Sequence, residues 1–284
     1  MSDHTKKIAR RITGRTLFWI VTVILLIFFL APLLWLISTS FKNYKDAFAI
    51  PPKLFFAPTL DNYRKVFGNA DFFGYIRNSI ICSVVPTLIG LIIGVPCAYA
   101  IAVFESKQSK KLSLFIMSVR IAPPIMSLLP NYIIFSRLKL LGTFWPMLLL
   151  YTLITLPLVI WLMPVYFRDV PISLREAAII DGCTEWQAFF KVMLPLVKAS
   201  VAATAIMCMV MTWNEFLIAL LMSGRGSQTL PVAVTSFMTF QGTEWGPMCA
   251  AATIIMVPMI VFGFFVQKYF ARGMVNGAVK GYRE

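Results

Sequence analysis

Apolar residues run in long stretches along this chain, and charge is confined to the joints between them. From Leu17 to Phe41, 25 residues pass without a charged side chain. At 1.5 Å rise that is about 37 Å of helix, more than the ~30 Å hydrocarbon core of a bilayer requires. The stretch is too long for a signal-peptide core and no small-residue cleavage site follows it, so it reads as a retained span. Five further blocks follow, at 79–104, 112–136, 144–167, 200–223 and 248–270. Each is long enough to cross. The pattern predicts an all-α integral membrane protein with six transmembrane helices. It divides into a cytoplasmic N-terminal tail at 1–16, a first transmembrane helix at 17–41, an extracytoplasmic segment at 42–74, a core at 75–270 with a cytoplasmic loop at 168–198, and a cytoplasmic C-terminal tail at 271–284.

The joints differ in kind. Residues 42–78 contain Pro51, Pro52 and Pro58 and the polar stretch Leu60-Asp61-Asn62-Tyr63, with room for a short helix beside the membrane surface. Residues 224–247 carry Gly224, Gly226, Gly242 and Gly246 among Phe237, Phe240 and Trp245. A loop of that length is either a functional element or a solvated connector. Inside the blocks, Pro123, Pro124, Pro130, Pro157 and Pro258 mark kinks. A bilayer helix tolerates them when neighbours satisfy the freed carbonyls.

Lysine and arginine set the orientation. With the N-terminus inside, 16 of the 26 basic residues fall on the cytoplasmic side, nine fall outside, and Arg120 lies within a span. Both termini are therefore expected in the cytoplasm. The composition agrees with a membrane protein: 59% of residues are apolar and 13% charged, against roughly half and a quarter in soluble domains. The net charge of +14 then belongs to topology. No basic-aromatic recognition module accompanies it, so nucleic acid is not an expected partner, and membrane lipid is. Cys82, Cys97, Cys183, Cys208 and Cys249 form no CxxC or metal-type spacing and read as small buried hydrophobes. The single histidine, His4, sits in the polar N-terminal tail. No metal site, nucleophile–base pair or catalytic residue is expected. Without a GxxxxGK[ST] sequence, neither is an ATPase site of the chain's own.

One cytoplasmic stretch is rich in local signals. Ser173 followed by Glu176 has capping-box spacing, with Pro171 just ahead of it, and Thr184 followed by Gln187 repeats that spacing. Gly182 between them suits a left-handed helix terminus, and Pro195 ends or kinks the second helix. Trp186, Phe189, Phe190 and Met193 recur at helical spacing and predict an apolar stripe against the membrane domain. The first helix offers small Ala177 and Ala178 beside the carboxylates of Glu176 and Asp181, which suits close approach by a surface carrying an arginine.

Glu176-Ala177-Ala178, three residues, Gly182, nine residues, and then Val192-Met193-Leu194-Pro195 resembles the EAA loop of binding-protein-dependent ABC importer permeases. The pattern usually has isoleucine where Val192 stands. Leu60-Asp61-Asn62-Tyr63, Arg77-Asn78-Ser79, Trp213-Asn214-Glu215-Phe216 and the tail from Tyr269-Phe270 to Gly277-Ala278-Val279-Lys280-Gly281 are similar to carbohydrate-importer permeases, the second permease of maltose-type systems in particular. The resemblance implies a type I ABC importer permease fold with its core at 75–270. It implies an ATPase-coupling surface at Glu176, Ala177, Ala178, Asp181, Gly182, Leu194 and Pro195, with Glu176 meeting an ATPase arginine. It further implies a second permease, two ATP-binding cassette subunits that hold ATP-Mg, an extracytoplasmic solute-binding protein, a sugar or polyol substrate, and a bacterial plasma (inner) membrane. By the same resemblance the loop 224–247 reaches toward the binding protein. Glu176 has a local alternative, folding back as the capping-box carboxylate of its own helix.

Glu215 and Arg120 lie within apolar blocks, where a charge costs at least about 2.5 kcal/mol at mid-depth. Two roles are open. Trp213, Asn214, Glu215 and Arg120 form a candidate translocation path, with Trp213 offering an aromatic face to a sugar ring. Alternatively Glu215 belongs to an internal polar network, such as an Arg120–Glu215 pair, that fixes packing. Other functions compete: an ABC importer of a different small solute, or an ATPase-independent secondary transporter. The latter would call for an internal repeat and more intramembrane carboxylates than Glu215.

Overall fold

The computed structural model describes backbone at residues 3–104, 106–121, 124–239 and 242–280. Side chains are described between residues 15 and 265, excepting 105, 110, 119–124, 240 and 241, and also at 267. The chain forms two compact units, Met1–Gly68 with Phe237–Ile254, and Asn69–Ser236 with Ile255–Glu284.

In the second unit, α4 (Phe72–Val103) packs along α7 (Trp145–Arg168). The sequence Gly90-Leu91-Ile92-Ile93-Gly94 lets the backbones meet. A Cβ built on Gly90 would lie 2.7 Å from Thr155 Oγ1, and one on Gly94 2.8 Å from Val159 Cγ1. Small residues four apart are the usual means of close helix approach in lipid, where no hydrophobic force drives helices together. Thr155 is fully buried there and donates its hydroxyl to the Pro86 carbonyl, 3.1 Å away.

The paired positions rise together along both helices, so α4 and α7 run parallel. Between Val103 and Trp145 the chain must therefore return to the face it started from. It does so through α5 (Lys107–Ile121) and α6 (Pro124–Arg137). Over the expected third span at 112–136, α5 is described to Ile121 and α6 from Pro124, and the two residues between lie outside the described ones. Fifteen and 14 residues give each about 22 Å, short of a full crossing alone. Pro124 stands at the start of α6, where a missing backbone donor costs little. The kink expected at Pro123 itself lies outside the described residues.

The expected fifth span at 200–223 is divided. Helix α8 (Ile172–Ile180) and α9 (Glu185–Ala188) come first, then a π-turn at Phe189–Met193, α10 (Leu194–Leu196), α11 (Lys198–Trp213) and α12 (Leu217–Met222). Among the described residues four helices are long and apolar enough to cross a membrane, at 15–40, 72–103, 145–168 and 245–265. The pair 185–196 and 198–213, bent by 77°, makes a fifth when its two pieces are counted as one span. The all-α membrane architecture holds, but unbroken helices do not make up all six expected spans.

Two cores fill the ends of the α4–α7 pair. Val95, Tyr99, Val159, Met163, Phe167, Phe189, Met193 and Val197 close one end. Cys82, Met147, Tyr151, Ile218, Met222 and Val232 close the other, which also receives α13 (Leu230–Ala233). Cys82 and Cys208 are buried as small hydrophobes.

In the first unit, α1 (Asp3–Ser40) exposes its apolar side chains from Leu17 to Leu34, and its bounds run beyond the expected 17–41 toward the N-terminus. After α2 (Tyr44–Ala47), α3 (Asp61–Gly68) is the short helix that the polar stretch predicted. Asn62 donates to the Ser40 and Lys42 carbonyls at 2.8 and 2.7 Å, and Tyr63 meets the Ser40 hydroxyl at 2.8 Å. The stretch therefore ties down the end of α1. Lys42 is buried with its ammonium 3.8 Å from the Trp35 ring centroid, a cation–π contact. The Lys53 ammonium beside Asp46 holds that carboxyl below its usual range. Strands β1 (Met238–Thr239) and β2 (Gly242–Thr243) make a hairpin before α14 (Trp245–Lys280).

Candidate functional site: the loop 168–198 and the broken span

Helix α8 begins at Ile172, with Pro171 in the cap position and no side-chain cap. The Ser173–Glu176 box predicted from spacing does not form. Pro171 is held extended at φ −56°, ψ 124°, so helical dihedrals start before Ser173 and leave it inside the first turn. Glu176 is exposed, and among the described residues it makes no hydrogen bond or ion pair. The local competitor for its carboxyl is thereby gone.

The far end of α8 is a Schellman turn. Gly182 has φ +87°, its N–H bonds the Ile179 carbonyl at 3.0 Å, and the Cys183 N–H reaches back to Ala178 at 2.9 Å. The second predicted box does form: Thr184 Oγ1 accepts from the Gln187 N–H and Gln187 Oε1 accepts from the Thr184 N–H. Beyond α9 the backbone widens. Pro195 has no N–H for the Lys191 carbonyl, and the Leu194 N–H bonds Phe189 instead, one residue beyond α register.

Of the predicted coupling residues, Glu176, Ala177, Asp181, Gly182 and Pro195 are exposed. Ala178 is buried and Leu194 packs against the inner core, so these two lie behind the outer face. The predicted apolar stripe is split as well. Phe189 and Met193 are buried, with Phe189 5.0 Å from Tyr99 and 6.2 Å from Phe167 between ring centroids. Trp186 and Phe190 point outward and stack on each other at 6.0 Å. At about 100° per residue Phe189 and Met193 lie on one edge of the stripe and Trp186 and Phe190 on the other, so the burial boundary runs through it.

Three contacts escaped the sequence reading. The Arg175 guanidinium on α8 grips the Glu185 carboxylate on α9 through Nε, 3.1 Å from Oε2, and through a terminal nitrogen to Oε1. Glu185 in turn keeps Arg175 protonated above its ordinary range. The Tyr99 hydroxyl reaches Glu185 Oε2 at 3.5 Å, and the Phe104 ring lies 5.4 Å from the guanidinium.

In the broken span, Glu215 occupies the gap between α11 and α12. Its Oε1 accepts from the Leu217 and Ile218 N–H groups at 3.1 and 3.0 Å. Its Oε2 accepts from Ile218 and Ala219 at 3.0 and 3.2 Å, and from the Tyr151 hydroxyl at 3.1 Å. A carboxylate there answers the unpaired donors at a helix start. Trp213 is buried and donates its indole N–H to the Ile255 carbonyl at 3.3 Å. Asn214 is exposed and back-bonds Val210 at 2.8 Å. Arg120 has its backbone in α5, but its side chain, and hence the suggested Arg120–Glu215 pair, lies outside the described residues.

Residues 89–276 match the family described as binding-protein-dependent transport system inner membrane component. The chain belongs to that family. It is 36% identical over 280 residues to a probable ABC transporter permease protein, y4oR, of Sinorhizobium fredii, covering 99% of both chains. It is 34% identical to the trehalose transport system permease protein SugB of Mycobacterium tuberculosis, covering 94% of this chain and 98% of that one. Its fold matches a chain in the crystal structure of a bacterial ABC transporter for import of the acidic polysaccharide alginate, with a TM-score of 0.76 at 22% identity over 92% of this chain and 98% of that one.

The permease is therefore a multi-pass membrane protein with the ABC importer fold. The Glu215 cap had a readable signal: a carboxylate just ahead of the run Leu217 to Met222, where the helix must restart. The Arg175–Glu185 grip had none, because its residues sit on different helices joined through the turn at Gly182. The family-like motif at Asn78-Ser79 also acquires a physical role. Asn78 donates to the Gly226 and Gln228 carbonyls at 3.0 and 2.9 Å, and Ser79 accepts from the Leu230 N–H at 2.8 Å. These bonds fasten the start of the loop 224–247 to the start of α4. The C-terminal match at Tyr269–Gly281 lies outside the described side chains.

Proposed function

We propose that this permease carries a sugar or polyol from an extracytoplasmic solute-binding protein across the bacterial plasma membrane, with a second permease beside it and two separate ATPase subunits supplying the work. ATP-Mg binds those subunits, and this chain holds no ATPase site. Both termini lie in the cytoplasm. The carbohydrate assignment is supported by the trehalose permease and alginate importer to which the chain is similar.

The observation that carries the reading is the outer face of the loop. The Schellman turn at Gly182 closes α8 without using a side chain, and so leaves Glu176 and Asp181 exposed beside Ala177. That is a small, acidic, shape-defined surface for an arginine-bearing partner. The α9–α10 arm then runs directly into α11, so force on the loop reaches the span. Glu215 serves as the cap of α12 and a packing node, not a solute ligand, because its oxygens are already occupied by three amides and a phenol.

The test uses the complete transporter with its cognate partners. Gly182→Val forces a β-branched residue into the left-handed region, a cost of at least about 1–2 kcal/mol. Gly182→Val and Glu176→Ala should each cut ATPase association and uptake roughly tenfold while membrane insertion stays normal. Normal association and uptake in both variants refutes the coupling role. Uptake by this chain without any ATPase refutes the importer reading, and transport of trehalose, maltose or glycerol phosphate in the same vesicles identifies the solute class.

A further inference from the structure

The loop's two arms meet at Gly182, a single residue with no side chain, and a built Cβ there would meet nothing within 4 Å. The turn at Gly182 is held by its backbone bonds alone, with no side chain to brace α8 against α9. What spans the angle is Arg175. Its guanidinium holds Glu185 by two parallel bonds, the arrangement in which arginine gives direction as well as attraction. Glu185 is in addition the first residue of α9, so its backbone and its charge sit at that helix's start.

The pair is also anchored to the membrane core. Tyr99, buried on α4, reaches Glu185, and Phe104 at the end of α4 lies beside the guanidinium. Arg175 is largely sheltered, its side chain 17% exposed, while Glu176 next to it points to solvent. Adjacent residues on α8 thus face opposite ways, one inward to the clamp and one outward to the docking face.

We infer that Arg175 and Glu185 form a positioning clamp that sets the α8–α9 angle against the end of α4, so that the docking face is held in its binding-competent shape before the ATPase arrives. This rests on the coupling reading of the loop. Without the clamp the arms sample several angles about Gly182, and ATPase affinity falls by the fraction of permease that remains competent. Movement of α4 reaches the docking face through Tyr99 and Glu185 as well as through α11.

The experiment titrates the purified full permease complex, in lipid nanodiscs, with its cognate ATPase subunit and measures both affinity and the amount bound at saturation. Arg175→Ala and Glu185→Ala should each weaken binding roughly five- to tenfold, with the saturating amount that of the unaltered complex. The double variant should be no weaker than either single, because both remove one interaction. A fall in the saturating amount at unchanged affinity would mean a misfolded fraction and overturns the clamp. So do additive losses, or wild-type affinity in Arg175→Ala. Gly182→Val runs alongside: if it too leaves affinity unchanged, the coupling reading itself fails. If it weakens binding while Arg175→Ala is silent, only the clamp fails.

Discussion

Replacing Glu215 separates a structural cap from a solute contact. In Glu215→Ala the Leu217, Ile218 and Ala219 amides and the Tyr151 hydroxyl lose their acceptor in a buried part of the span. Loss of a helix cap costs about 1 kcal/mol and hydrogen bonds to a charged group about 1.5–3 kcal/mol, not fully additive, so roughly 3 kcal/mol is expected in sum. Glu215→Gln keeps one carbonyl oxygen for two of the amides and should cost about 1 kcal/mol. For a chain of this size each kcal/mol moves the melting point by roughly 2–4 °C. Thermal unfolding of purified permease, followed by tryptophan fluorescence, should then shift by roughly 6–12 °C for alanine and 2–4 °C for glutamine. Uptake per assembled complex should stay near normal in Glu215→Gln. An unshifted melting point in Glu215→Ala together with abolished uptake would refute the cap and return Glu215 to the translocation path.

Gly94→Leu should lower the melting point and membrane abundance at a cost of about 1–3 kcal/mol, because its Cβ would already lie 2.8 Å from Val159 Cγ1. Gly74→Ala, on the same helix but in open space, should be neutral or stabilising, and equal effects of the two would refute the contact. Asn78→Ala strips two carbonyls of their donor and should loosen residues 224–230, which is read as faster tryptic cleavage after the exposed Arg225. An unchanged cleavage rate would show that the loop is held by other means.

Much of the site was legible because it rests on residues with one physical job. Gly182, Thr184 and Pro195 act through their own backbone or the next turn, and the spacing alone located them. Ser173 was misread because two start signals overlapped, and the proline two residues earlier won by presetting an extended backbone. The stripe from Trp186 to Met193 was misread for a different reason: it is about 100° wide, and the edge of the buried face runs through it, leaving Trp186 and Phe190 outside. Periodicity cannot show where that edge falls, nor can it show the Tyr99–Glu185 contact across 86 residues of sequence. Similarly, the paired prolines at 123 and 124 looked like one more tolerated kink. Only the parallel run of α4 and α7 shows that the segment between them must return across.

The bonds from Asn78 to Gly226 and Gln228 close over 148 and 150 positions of chain. During synthesis the Gly94–Val159 contact can form once α7 has emerged, some 60 residues before Gln228 exists. The amide of Asn78 must wait near the start of α4 through that interval, unsatisfied or bonded to water. The clasp is therefore a late event in the biogenesis of the protein. A chain truncated before residue 226 would hold its helix pair yet leave the start of α4 unfastened, and that open end is what membrane quality control would meet.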